Sequence, residues 1–224
     1  MRYRHLIWDW NGTLLDDTQT CVNVLNTLCH QYHRQPTTLE QYRREFGFPV
    51  ARFYEHLGFD FTKDSYDQVA RDYIALYTQQ QRNCRLHRNG RAVLQQCSTF
   101  HLGQSILSAY HQSLLEEIVA FFGIRPFFDH LVGLSDLHAK SKVAAGQCLM
   151  EDIECEPDEV LLIGDTIHDH EVAQILGVDC LLIPNGHQTP ERLHACGRPL
   201  LADLEYIPTW LNQESPSQAM LESE

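Results

Sequence analysis

The sequence predicts an α/β fold: a doubly wound (Rossmann-like) parallel sheet with a small all-helical unit inserted directly after the first strand. Three observations carry this. Short, nearly uninterrupted aliphatic runs at residues 3–10, 103–108, 160–163 and 180–183 suit parallel strands covered on both faces. Helical patterns fall between these runs, and that alternation builds a doubly wound sheet. Residues 18–86 break the rhythm with helical faces and no strand signal of comparable quality.

Taken in order, the first run stops at Asn11-Gly12, a turn pair. Asp16 and Asp17 then stand as caps for the first helix of the insert, where Val22, Leu25, Leu28 and Cys29 share a face. Tyr66, Val69, Tyr73 and Leu76 form a second face, and Gly47-Phe48-Pro49 and Gly58 punctuate the stretch between. After the second strand, Ser113-Leu-Leu-Glu116 reads as a capping box, with Gly123 as the stop of its helix. Residues 142–150 form the next helix, with Ser141 as its N-cap, and residues 170–176 another, stopped by Gly177. From about Gln213 the sequence is polar, acidic and unpatterned, as expected of a frayed tail. The expected organisation is therefore a core of 1–17 and 87–212, a helical insert of 18–86 and a tail of 213–224.

Composition narrows the function. With 43% hydrophobic and 21% charged residues among 224, the chain is an ordinary globular one. A formal charge of −13 repels phosphate backbones and anionic lipid, so nucleic acid and membrane surfaces are poor partners; a small phosphorylated molecule is not excluded. The eight cysteines include no CxxC pair, and no apolar run reaches the roughly 20 residues of a membrane span. A cytoplasmic protein with reduced thiols is expected.

In an open parallel sheet, ligands gather at the C-terminal ends of the strands. That edge collects Asp9, Ser108 and Asp165 from distant parts of the sequence. In Asp9-Trp-Asn11-Gly12-Thr13, a carboxylate ends a buried strand beside a glycine turn whose backbone N–H groups can hold a phosphate. Gly164-Asp165-Thr-Ile-His-Asp169 places two carboxylates at another strand end, a pattern that suits a hard cation; a helix cap with a first-turn acid is the plainer account. Three acids on one edge would repel one another without a cation. Lys142, with Lys140 two residues earlier, supplies a positive charge for the carboxylates and a transferring phosphoryl group. Ser108 offers a hydroxyl donor. His168, His170 and the arginines at 43, 44 and 52 read as ordinary helix-face residues, and His187 follows the last strand close to the same edge.

Asp9-x-Asn11-Gly12-Thr13, Ser108, Lys142 and Gly164-Asp165-x-x-x-Asp169, in that order, resemble the four motifs of the haloacid dehalogenase superfamily. The likeness is greatest to its phosphoglycolate phosphatase-like branch and runs from about His5 to Trp210. The first and fourth motifs are specific as a pair; the serine and lysine are placed by order and context. The resemblance implies that the insert is a helical cap and the remainder a catalytic core. It implies a Mg2+-dependent phosphatase acting on a small phosphorylated metabolite. Asp9 would be the nucleophile that becomes an aspartyl phosphate. Magnesium would be held by Asp9, the Asn11 carbonyl and Asp165, with Asp169 in support, while Ser108 and Lys142 hold phosphoryl oxygens.

One position departs from that pattern. Family phosphatases carry an aspartate two residues after the nucleophile, as acid and then base; here Asn11 stands there. An amide cannot transfer a proton near neutral pH, and such help typically contributes roughly 10²–10⁴-fold in rate. Three readings are compatible with it: a phosphatase slow on poor leaving groups, one with another proton carrier, or a weakly active or non-catalytic phosphate-binding relative. Carbon–halogen displacement fits less well, because it does not require the metal-binding pattern at Asp165 and Asp169.

Overall fold

The computed structural model describes residues 1–138 and 141–214 of the chain. In chain order the strands are β1 (His5–Trp8), β2 (Leu15–Asp16), β3 (Arg85–Leu86), β4 (Gly103–His111), β5 (His130–Leu134), β6 (Val160–Gly164) and β7 (Asp179–Leu182). The α-helices are α1 (Thr18–Gln31), α2 (Leu39–Glu45), α3 (Val50–His56), α4 (Tyr66–Gln80), α5 (Gly90–Thr99), α6 (Gln112–Phe121), α7 (Val143–Asp152), α8 (Ile167–Leu176), α9 (Pro190–His194) and α10 (Ile207–Gln213). Five strands form one parallel sheet in the order β5-β4-β1-β6-β7. The central strands are buried and almost wholly apolar, His5 excepted: Leu6, Ile7 and Trp8 of β1 and Val160–Ile163 of β6 are 0% exposed. Helices cover both faces, giving one large core cluster and a second around Ile7, Leu107, Leu162 and Val172. This is the expected doubly wound α/β fold.

Helices α1–α4 form the inserted cap. The short antiparallel ribbon of β2 and β3, Leu15 opposite Leu86, stands where the chain enters and leaves it. Residues 18–86 therefore do contain a strand, of two residues, too short to leave a pattern. A second strand beyond the expectation is β5, at the edge of the sheet and only half-buried along its length, so its apolar signal is diluted by His130 and Gly133.

Other local expectations need correcting. The capping box at 113–116 does not form; α6 begins at Gln112, and Ser113 Oγ instead meets His111 Nδ1. Lys142, not Ser141, is the N-cap of α7, and Ser141 Oγ accepts from Val143 N. Helix α8 begins three residues earlier than expected, because Thr166 and Asp169 make a reciprocal capping box. Lys140 and the tail beyond 214 lie outside the described residues. No described helix is long and apolar enough to cross a membrane.

Candidate active site

Register brings the four motifs together. Trp8 of β1 lies level with Ile106 of β4 and Ile163 of β6, so the next residues of all three strands emerge side by side. Those residues include Asp9, Ser108 and Asp165. The Asp9 backbone N–H donates to the Ile163 carbonyl at 2.8 Å and ties two of the strand ends directly.

Lys142 reaches this edge from the start of α7 with its side chain only 2% exposed. Its Nζ pairs with the Asp9 carboxylate, meets Asp169 Oδ1 at 2.6 Å and donates to the Leu107 carbonyl at 3.0 Å. Burial alone would lower the lysine's pKa, but Asp169 and Asp9 outweigh it, and the amine is held charged. The two carboxylates share it unequally. Burial would raise Asp169, yet the Lys142 charge and the Thr166 hydroxyl hold it below the usual range. Asp9 is pushed up to about 8 by burial and by repulsion from Asp169 and Asp165, which exceed the pull of Lys142. Asp9 also keeps the most solvent contact of the three, with 11% of its side chain exposed against 1% for Asp169. It is the open acid of the cluster.

Asp165 is 0% exposed and fixed on both oxygens: Thr13 Oγ1 donates to Oδ1 at 2.8 Å, and the His187 backbone N–H donates to Oδ2 at 2.6 Å. Gly12 permits this. Its φ of +77° is unfavourable for other residues, and a Cβ there would overlap the Asp165 carboxylate and the His187 ring. A Cβ on Gly186 would strike the same carboxylate. Burial raises the Asp165 pKa as well.

The donor set fits a hard divalent cation. One carboxylate oxygen each from Asp9, Asp165 and Asp169 lies within 4.8 Å of the others. Three buried carboxylates facing one lysine leave excess negative charge that a cation would offset. Among the described residues no hydrogen bond ends on the Asn11 carbonyl, leaving it available as a further oxygen ligand. Asp169 is the least available ligand, because Oδ2 accepts from Thr166 N and Oγ1 while Oδ1 faces Lys142. Ser108 is buried, and its Oγ accepts from Tyr110 N at 3.1 Å, so its own O–H is left to donate. Every expected site residue, from Asp9 to Asp169, thus lies on this one edge.

Beside it is a constellation that the sequence reading missed. The Asn11 Nδ2 donates to Asp17 Oδ2 at 2.7 Å and lies 2.8 Å from the Tyr77 hydroxyl. Tyr77 also donates to Asp17 Oδ2 at 2.6 Å, and Gly12 N donates to Oδ1 at 2.9 Å. His187 Nε2 stands 3.3 Å from the same Oδ1. Asp17 is therefore no helix cap; although it occupies the N-cap position of α1, its side chain caps nothing there. Burial would raise it, but His187, Tyr77 and Asn11 together hold it near 2. Burial would likewise lower His187, but Asp17 and Asp165 raise it to about 9. Cys21 Sγ also donates to Asp17, and burial pushes that thiol well up, so Asp17, Cys21 and His187 make an ion pair with a thiol rather than a second metal site. His168 is no bland helix residue either: it is buried, stacks on Phe48 at 4.5 Å, and its Nε2 accepts from Lys142 N at 3.4 Å.

Comparison with known proteins bears on the family and the fold. Residues 6–183 match the family of haloacid dehalogenase-like hydrolases. No curated protein matches the sequence. A predicted phosphatase from Clostridium acetobutylicum is 18% identical, aligns over 95% of this chain and 100% of its own, and superposes with a TM-score of 0.79. A predicted phosphoglycolate phosphatase from Haemophilus somnus is 14% identical over 94% and 99%, with a TM-score of 0.77. CbbY from Rhodobacter sphaeroides, in complex with phosphate, is 15% identical over 90% and 95%, with a TM-score of 0.71. At these identities the likeness is one of fold.

Proposed function

The chain belongs to the haloacid dehalogenase-like hydrolases, and from that premise we propose that it is a magnesium-dependent phosphomonoesterase that works through an aspartyl phosphate on Asp9. The observation that carries the proposal is the buried set of Asp9, Asp165 and Asp169 around Lys142 at the strand ends. The substrate is a small phosphorylated metabolite, in line with the phosphate complex of the CbbY relative.

Asp9, Asp165 and the Asn11 carbonyl would hold magnesium, which when bound supplies positive charge to the phosphoryl oxygens. Lys142 keeps its charge against those oxygens, and the Ser108 hydroxyl donates to one of them. An Asp9 oxygen attacks phosphorus, the new Asp9–phosphorus bond forms, and the ester oxygen departs with its electron pair. Water then attacks the same phosphorus, the bond to Asp9 breaks, and inorganic phosphate leaves. Asn11 transfers no proton in either half. It orients Asp17 and Tyr77 instead, so both steps lack the family's side-chain acid and base.

The test is phosphate release from an aryl phosphate with and without magnesium. Turnover that disappears with chelator and in Asp9→Ala supports the assignment. Turnover retained in Asp9→Ala refutes it.

A further inference from the structure

Between the cap helices and the strand ends lies a cavity of about 140 Å3 that opens on Asp9, Asn11, Ser108 and Lys142. The leaving group of any substrate attacked by Asp9 must sit there. Its walls are rings: Tyr42, Phe46, Phe48, Phe53, Tyr54 and Tyr73. Several interlock, with Tyr42 stacked on Phe46 at 4.9 Å and Phe46 against Phe48 at 5.7 Å.

The lining has little left to offer a polar group. Four lining tyrosines have their hydroxyls engaged by protein partners: Tyr42 with His187 Nδ1, Tyr66 with the His138 carbonyl, Tyr77 with Asp17 and Tyr110 with Gln81. The only lysine on the wall is Lys142, committed to Asp9 and Asp169, and no arginine lines it among the described residues. His187 is committed to Asp17. Asp136, exposed at the wall, adds negative charge. A carboxylate on the leaving group would lose its water and meet no unpaired lysine or arginine among the described residues. A polyol would keep few of its hydrogen bonds, because among the six lining tyrosines only Tyr54 and Tyr73 have hydroxyls without a hydrogen bond to another described residue. The volume suits one ring: an apolar cavity of about 150 Å3 in another protein takes up benzene.

Resting on the phosphatase reading above, we propose that this site selects phosphate monoesters whose organic group is a single uncharged aromatic ring, and discriminates against carboxylate-bearing monoesters such as 2-phosphoglycolate. Ring edges and faces on the wall receive a flat π-system, while the phosphoryl group stays on the Lys142 side.

The test compares benzyl phosphate, ethyl phosphate and 2-phosphoglycolate with the full chain and magnesium. All three release an alkoxide, so leaving-group acidity does not separate them. The expected kcat/KM order is benzyl, then ethyl, then phosphoglycolate, with about 10- to 100-fold between the first two from burial of the ring. Ile74→Arg, which puts a cation on the cavity wall, should shrink the benzyl-to-phosphoglycolate ratio at least about tenfold. Val50→Arg serves if the first variant does not fold. Phosphoglycolate turned over as well as or better than benzyl phosphate overturns the inference and leaves the phosphatase reading standing. A folded variant with an unchanged ratio also overturns it. Absence of turnover on all three follows from the missing acid at Asn11 and leaves the phosphatase reading to the aryl phosphate test; the inference is then decided by calorimetry with benzylphosphonate and phosphonoacetate, where tighter binding of phosphonoacetate overturns it.

Discussion

The Asn11 amide donates to the Asp17 carboxylate at 2.7 Å, so the residue in the family's acid/base position is locked into a buried ion network. Asn11→Asp would therefore do more than restore a proton carrier. It would set two carboxylates against each other and leave Asp17 without one of its donors. The expected cost is roughly 1–3 kcal/mol, a fall in Tm of several degrees by thermal melt. The double variant Asn11→Asp, Asp17→Asn keeps one amide and one carboxylate in contact. It relieves that repulsion but breaks the Asp17–His187 pair, so its Tm stays below that of wild type; it should nonetheless turn over alkyl phosphates faster than wild type, up to the roughly 10²–10⁴-fold of general acid–base catalysis. Equal alkyl phosphate rates in wild type and the swapped pair would show that position 11 is not limiting.

The same network predicts a pH dependence of stability. His187 is raised from 6.5 to about 9, so its contribution is complete below pH 6.5 and is lost as pH rises through 9. Asp17 is lowered from 3.8 to about 2, so its contribution is complete above pH 3.8 and is lost as pH falls through 2. Both shifts describe one ion pair and count once, at roughly 3 kcal/mol. Tm of the wild type should decline between pH 6.5 and 9, and Asp17→Asn should flatten that decline. Parallel curves for the two proteins would mean that the pair contributes nothing.

Metal binding should carry the signature of Asp9. Its carboxyl is raised to about 8 by burial and by its acidic neighbours, so a cation competes with a proton there. Magnesium affinity should rise as pH approaches 8, with proton release visible when calorimetry is repeated in buffers of different ionisation enthalpy. Asp165→Asn should weaken magnesium by at least about tenfold. It should not lower the Tm of metal-free protein at neutral pH, because it removes one of three mutually repelling acids. Unchanged magnesium affinity in that variant would remove Asp165 from the ligand set.

Much of this was legible in the sequence because strand ends announce themselves. Aliphatic runs at 160–163 and the turn at Asn11-Gly12 put Asp9 and Asp165 on one edge, and Ser108 and Lys142 followed from motif order. Asp17, Tyr77 and His187 were not legible as partners. They come from β2's exit, the cap helix α4 and the segment after β7, and only packing of cap on core brings them together. Asp17 looked like a cap because Asp before a helix usually is one; here a histidine and an amide bind its carboxylate more strongly than a helix N-terminus would. The aromatic cavity is likewise a tertiary product, since its rings arise from several elements with no common periodicity.

Asp9 as the covalent nucleophile is tested most directly by rapid-quench kinetics with an aryl phosphate and magnesium. A good leaving group relieves the first step of the need for an acid, while the second still lacks a base at Asn11. Phosphoenzyme should therefore accumulate. The expected result is a burst of about one phenolate per protein molecule, followed by slow turnover, with the phosphoryl group found by mass spectrometry on the peptide carrying Asp9. Linear phenolate release with no phosphoryl group on Asp9, and turnover that survives Asp9→Ala, would contradict it.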